Sequence, residues 1–116
     1  MAEAKLSQRR ITKLINSLVN DLEAEKIKVN KVILYGSYAR GNPKNFSDID
    51  IAVISPSFTR KNLFKIQEEL AKVLSKYLSR IEPIGFSPEQ YESADLTSFL
   101  GEIKRTGKVI YSAPLR

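Results

Sequence analysis

The chain has 116 residues, with 19 Lys and Arg against 13 Asp and Glu for a formal charge of +6, and contains neither cysteine nor histidine. That excludes disulfides, thiolate nucleophiles, Ser-His-Asp triads, Cys-His pairs and structural zinc, and leaves any general base to a carboxylate or to solvent. One domain over residues 1–116 is expected, able to bury about two-thirds of its unfolded surface but without room for a second, substrate-binding domain.

The N-terminus, Met-Ala-Glu-Ala-Lys-Leu-Ser-Gln-Arg-Arg, lacks the apolar core of a secretory signal, and no apolar run is long enough to span a membrane, so a cytoplasmic location without a membrane partner is expected. Ile11, Leu14, Ile15, Leu18 and Leu22 recur at helical spacing, which predicts an amphipathic helix over residues 7–25. The apolar run Lys31-Val32-Ile33-Leu34-Tyr35 then predicts a buried strand that stops at Gly36-Ser37. A helical turn carries Tyr38 to Arg40, and Gly41-Asn42-Pro43 breaks it.

In Asp48-Ile49-Asp50-Ile51-Ala52-Val53-Ile54 the period-two pattern predicts a second strand. Asp48 and Asp50 should share one face, given to chemistry, while Ile49 and Ile51 point to the core on the other. Ser55-Pro56-Ser57 ends the run. Phe64, Leu70, Val73, Leu74, Tyr77 and Leu78 mark a long helix over residues 60–79 that packs on the sheet. Residues 80–86 read as a third strand, with Pro83 assigning it to an edge or a bulge because proline cannot donate to a ladder. Ser87-Pro88-Glu89-Gln90 is a capping box that opens a helix. Leu96, Phe99, Leu100 and Ile103 predict a last helix stopping near Gly107, before a final strand at residues 109–111. The expected class is α/β, a small mixed sheet flanked by helices.

The chemistry concentrates between Gly36 and Asp50. Two carboxylates two residues apart on a strand stand about 7 Å apart and repel by about 2 to 3 kcal/mol at an effective dielectric of ~20. A magnesium ion, which takes oxygen ligands from one or two carboxylates and from substrate phosphates, would offset that repulsion. The alternative is that Asp48 caps the strand and Asp50 faces solvent. Positive charge is scattered, densest at Arg9-Arg10 with Lys13, at Lys26, Lys28 and Lys31, and at Arg60-Lys61 with Lys65. We read these as solvated helix faces rather than a nucleic-acid patch.

Gly36-Ser37-Tyr38-Ala39-Arg40-Gly41, a ten-residue interval, and Ser47-Asp48-Ile49-Asp50-Ile51 together closely resemble the minimal nucleotidyltransferases of the DNA polymerase β-like nucleotidyltransferase superfamily. The resemblance extends over nearly the whole order of elements. It implies that Gly36 and Ser37 lie against the β and γ phosphates of ATP or another triphosphate, with Arg40 adding charge beside them, or else paired with a nearby acid on the surface. It also implies that Asp48 and Asp50 bind two magnesium ions. A third carboxylate normally comes from an adjacent strand, as metal ligand and proton acceptor. Glu82 is the candidate by position, although it is a glutamate where aspartate is usual and precedes Pro83. Its alternative is an exposed acid paired with Arg80.

Minimal members of the superfamily resemble the antitoxin half of two-gene modules, in which AMP is transferred to a tyrosine of a HEPN-type helical toxin. The resemblance therefore implies a protein partner of that kind. Two other readings stay open: a non-catalytic module that neutralises its partner by occlusion, and transfer to a small molecule in a pocket made by homo-oligomerisation. A nucleic-acid acceptor is disfavoured because no polymerase-like extension is present to guide a strand.

Overall fold

The computed structural model describes residues 5–45, 47–77 and 80–114. Its first helix, α1 (Gln8–Ala24), starts where Ser7 Oγ accepts from the Arg10 amide at 3.2 Å. It ends in a Schellman turn: Lys26 takes a φ of 66°, and the Ile27 amide reaches back to the Leu22 carbonyl at 3.0 Å. Between these stops Ile11, Ile15, Leu18, Val19 and Leu22 form one buried stripe. The chain then enters β1 (Lys31–Tyr35), a single helical turn α2 (Ser37–Arg40), and β2 (Ile49–Ile54).

After a short 3-10 turn at Pro56–Phe58 come α3 (Leu63–Leu74), β3 (Ile81–Phe86), α4 (Pro88–Glu92), α5 (Phe99–Thr106) and β4 (Lys108–Ser112). The strands form one sheet in the order β3-β2-β1-β4. β1 is antiparallel to both β2 and β4, while β2 and β3 run parallel, joined by the α3 crossover. The expected mixed sheet with flanking helices is the one observed. None of the helices described is long and apolar enough to cross a membrane.

The main core lies between one sheet face and the α1 and α3 helices, where Val32, Leu34, Ile49, Ile51 and Val53 meet the two helical stripes. On the opposite face Ile33, Ala52 and Ile54 are buried under Leu100 and Ile103 of α5. This corrects the expectation that the second face of β2 is given to chemistry alone. Only its start, at Asp50, is free for that purpose, and the remainder of that face is a second core.

Four helix details also depart from the sequence reading. The helix expected from residue 60 begins at Leu63, because Arg60 takes a φ of 67° and Asn62 caps the helix, its Oδ1 accepting from the Lys65 amide at 2.8 Å. Its buried stripe is Ile66, Leu70 and Val73, and Phe64 is 78% exposed rather than packed. The helix also ends at Leu74, short of the expected residue 79, with Ser75 as its cap and Tyr77 beyond it, while Leu78 and Ser79 lie outside the described residues. Leu96 precedes α5, which Ser98 caps, and is also exposed. Gly101 has no Cβ, which lets the Asp95–Leu96 backbone lie directly on α5.

The capping box at Ser87 and Gln90 forms as expected. β3 is an edge strand, one of the two placements that Pro83 allowed, and its outer side is closed by α3. Gln67 donates from Nε2 to the Pro83 carbonyl at 2.9 Å and accepts from the Gly85 amide at 3.2 Å, standing in for a further strand. β4 is longer than the expected 109–111, and its ladder to β1 shifts register between Val32 and Ile33, so Ile110 and Tyr111 both pack on the α1 side.

Candidate active site

The site forms where β1, β2 and β3 expose one end of the sheet. In the ladders Tyr35 pairs with Asp50 and Asp50 pairs with Glu82. Paired residues share a face, so the three side chains form a row across three adjacent strands, spaced about 5 Å apart. Asp48 lies just outside β2 on the approach to it, and the Ile49 amide donates to the Arg80 carbonyl at 2.7 Å to start the parallel pairing.

Gly36 connects this row to the turn that opens α2. Its φ of 77° and ψ of −153° lie in a region that only glycine occupies readily. A Cβ at that position would also overlap Asp50 Oδ2. The glycine is therefore fixed twice, by its backbone and by the carboxylate lying against it. Gly41, with a φ of 78°, ends α2 in the left-handed region but has no atom near its missing Cβ. Tyr38, within the same motif, serves the fold: it is buried, and its hydroxyl accepts from the Leu6 amide at 3.1 Å. Ser37 opens α2, where the Ala39 and Arg40 amides both donate to the Gly36 carbonyl at 3.1 Å, which leaves the Ser37 and Tyr38 amides ahead of the first helical bond.

An open cleft of about 690 Å³ is bounded on one side by Gly36, Ser37, Arg40 and Asp50. Its opposite wall is α5, through Phe99, Glu102 and Thr106. The Phe99 ring meets the Tyr35 ring edge-on, with centroids 5.7 Å apart. The volume suits a nucleotide-sized ligand. Sequence reasoning missed Tyr35 and the α5 wall. Tyr35 carried a signal, as the strand residue next to the glycine. The α5 residues carried none, because their position depends on how a helix some sixty residues away packs across the sheet.

Charge at the row is unbalanced. The Asp50 carboxyl is held above its ordinary range by partial burial first, then by the Asp48 and Glu82 charges, and Arg40 only partly counters them. The Tyr35 phenol is likewise pushed up by burial, then by Asp50 and Glu82. Among the described residues no three acidic side chains are gathered closely enough to hold a metal ion. The donor set is nevertheless all oxygen, and its surplus negative charge is of the kind a divalent cation neutralises, so Asp48, Asp50 and Glu82 fit magnesium in chemistry.

A family model described as polymerase beta, nucleotidyltransferase, matches residues 15–114. The chain belongs to that family. It is a nucleotidyltransferase by descent, and its similarity to curated proteins agrees. A Methanocaldococcus jannaschii protein named as a candidate protein adenylyltransferase is 33% identical over 82 residues, covering 71% of this chain and 79% of the relative. A second protein of that organism and description is 32% identical over 100 residues, covering 85% and 96%. Among solved structures, a candidate nucleotidyltransferase from Sulfolobus solfataricus superposes with a TM-score of 0.66 at 18% identity, over 90% of this chain and 83% of that one. A toxin-antitoxin crystal structure with AMP-PNP superposes with a TM-score of 0.52 at 23% identity, over 84% and 73%. Both structural matches speak to the fold of this nucleotidyltransferase.

Proposed function

We propose that this nucleotidyltransferase moves AMP from ATP to a hydroxyl of a protein partner, and that the partner is a toxin of the HEPN type modified on a tyrosine. The observation that carries the reading is the Gly36-Ser37 turn lying directly on Asp50, with Asp48 and Glu82 close enough to raise its proton affinity. The names of the M. jannaschii relatives support a protein acceptor and adenylyl transfer. The fold shared with a toxin-antitoxin structure holding AMP-PNP supports a toxin as that partner.

The Ser37 hydroxyl and the first amides of the turn bind the β and γ phosphates, and Arg40 adds charge beside them. Asp48 and Asp50, joined by Glu82, would hold two magnesium ions. Bound there, magnesium lowers the pKa of an attacking hydroxyl and stabilises the crowded phosphorus. The acceptor oxygen forms its bond to the α-phosphorus, the bond from that phosphorus to the bridging oxygen breaks, and pyrophosphate leaves. The hydroxyl proton passes to a carboxylate of the row, since no histidine is available.

Glu82 is exposed, and among the described residues no three acids are drawn together at ligand distance, which favours occlusion without catalysis as the second reading. Incubating the protein with ATP, magnesium and the product of the neighbouring gene separates the two. A nucleotide mass increment on that product, lost in Asp48→Asn, supports transfer. Neutralisation without any increment, retained in Asp48→Asn, supports occlusion.

A further inference from the structure

The opposite wall of the cleft has its own chemistry. Phe99, Glu102, Ile103 and Thr106 fall at i, i+3, i+4 and i+7, one stripe of α5. Ile103 is buried against the sheet, while Phe99 leaves 54% of its surface exposed at the cleft. The Thr106 hydroxyl donates to the Glu102 carbonyl at 2.8 Å, so its oxygen is left to accept. With the Glu102 carboxylate, this wall offers an aromatic ring and hydrogen-bond acceptors but no free side-chain donor.

The charges set the direction in which a nucleotide lies. Arg40 borders the cleft at the glycine turn and Glu102 borders it on α5. Asp50 also borders the cleft beside Arg40, but on the reading above magnesium meets its charge, so a triphosphate is drawn to the turn and repelled by Glu102, and the base end faces α5. Resting on the reading of the glycine turn as a phosphate site, we propose that α5 is the base-recognition wall. Phe99 stacks on the nucleobase, and Glu102 selects bases that present an amino group, adenine, guanine or cytosine, against uracil. Uracil turns its O4 and O2 carbonyls toward acceptors, with only N3–H to offer.

Aromatic stacking tolerates any base and is worth about 1–3 kcal/mol, which corresponds to about 5- to 150-fold in affinity. The test is calorimetric titration with magnesium and non-hydrolysable ATP, GTP, CTP and UTP analogues, and separately with inorganic tripolyphosphate. Phe99→Ala should weaken all four nucleotides by that factor and leave tripolyphosphate unchanged. Phe99→Leu keeps apolar bulk without the π face and should fall between. Glu102→Gln should bring UTP to within about threefold of the others, because an amide can also donate to a carbonyl.

Nucleotides unaffected by both Phe99 variants, with tripolyphosphate still weakened by Arg40→Ala, would overturn the base wall and leave the phosphate reading standing. If neither nucleotides nor tripolyphosphate bind, the phosphate reading fails and the base wall with it. UTP binding as well as ATP in the unaltered protein would overturn the selectivity.

Discussion

Two glycines of one motif should behave differently when given a methyl group. At Gly36 the new Cβ meets the Asp50 carboxylate and the backbone stands at φ 77°, ψ −153°. That conformation costs a non-glycine residue about 1–3 kcal/mol, and overpacking against the carboxylate adds a comparable amount, so Gly36→Ala should cost about 2–6 kcal/mol in total. At Gly41 the φ is 78°, but nothing lies within 4 Å of the added methyl. Only the left-handed backbone penalty applies there, about 1 kcal/mol. For a chain of this length each kcal/mol lowers Tm by about 4 °C, so losses of about 8–24 °C and about 4 °C are expected. Urea denaturation with an unchanged m-value should give the same order. In an Asp50→Ala background the steric share at Gly36 disappears and only the backbone share remains, a coupling that a double-mutant cycle reads directly. Nucleotide binding should fail in Gly36→Ala and persist in Gly41→Ala. Equal losses at the two glycines, or no coupling to Asp50, would refute the reasoning.

Asp50→Asn should stabilise the nucleotide-free protein at neutral pH by about 1 kcal/mol once solvent screening is allowed for, while removing activity. Because the folded-state pKa of Asp50 is raised, its contribution is fully present below the ordinary carboxylate value of about 3.9 and is lost as pH rises through the folded value. The stability difference between Asp50→Asn and the unaltered protein should therefore grow from acid toward neutral pH in urea titrations, and a constant difference would contradict the assignment. Gln67→Ala leaves the Pro83 carbonyl and Gly85 amide on the edge of β3 without their partner, for a loss of about 1–3 kcal/mol by chemical denaturation. Tyr77, whose phenol donates to Asp21, has its pKa pushed up to about 12 by burial first and then by that hydrogen bond. Its stabilisation should hold below pH 10 and fade between about 10 and 12, followed by tyrosinate absorbance, and Asp21→Asn should bring the titration part-way back.

Local signals made much of this molecule legible. β1 and β2 announce themselves by apolar runs that end at glycine, serine and proline, and Pro83 limits β3 to an edge or a bulge because a missing amide cannot serve a central ladder. The Ser87 capping box forms as its residues imply. Where the reading failed, tertiary packing decided. Ala52 and Ile54 look like the continuation of a chemical face until α5 covers them, and Phe64 follows a helical period that begins three residues later than expected. Gly36, Ser37 and Asp50 stood out from the turn and the strand alternation, Arg40 followed only from the family resemblance, and the four line one cleft. Its far wall could not be picked out, since Phe99, Glu102 and Thr106 read locally as an ordinary amphipathic helix.

The central claim is that the Gly36-Ser37 turn and the Asp48-Asp50 pair form one centre for nucleotidyl transfer. Its most direct test is intact-mass analysis of the partner protein after incubation with each triphosphate and magnesium, comparing the unaltered enzyme with Asp50→Asn. A one-nucleotide increment that requires both magnesium and Asp50, with Asp50→Asn folded and at least as stable as its parent, is the predicted result. An increment of equal extent from Asp50→Asn would contradict the account.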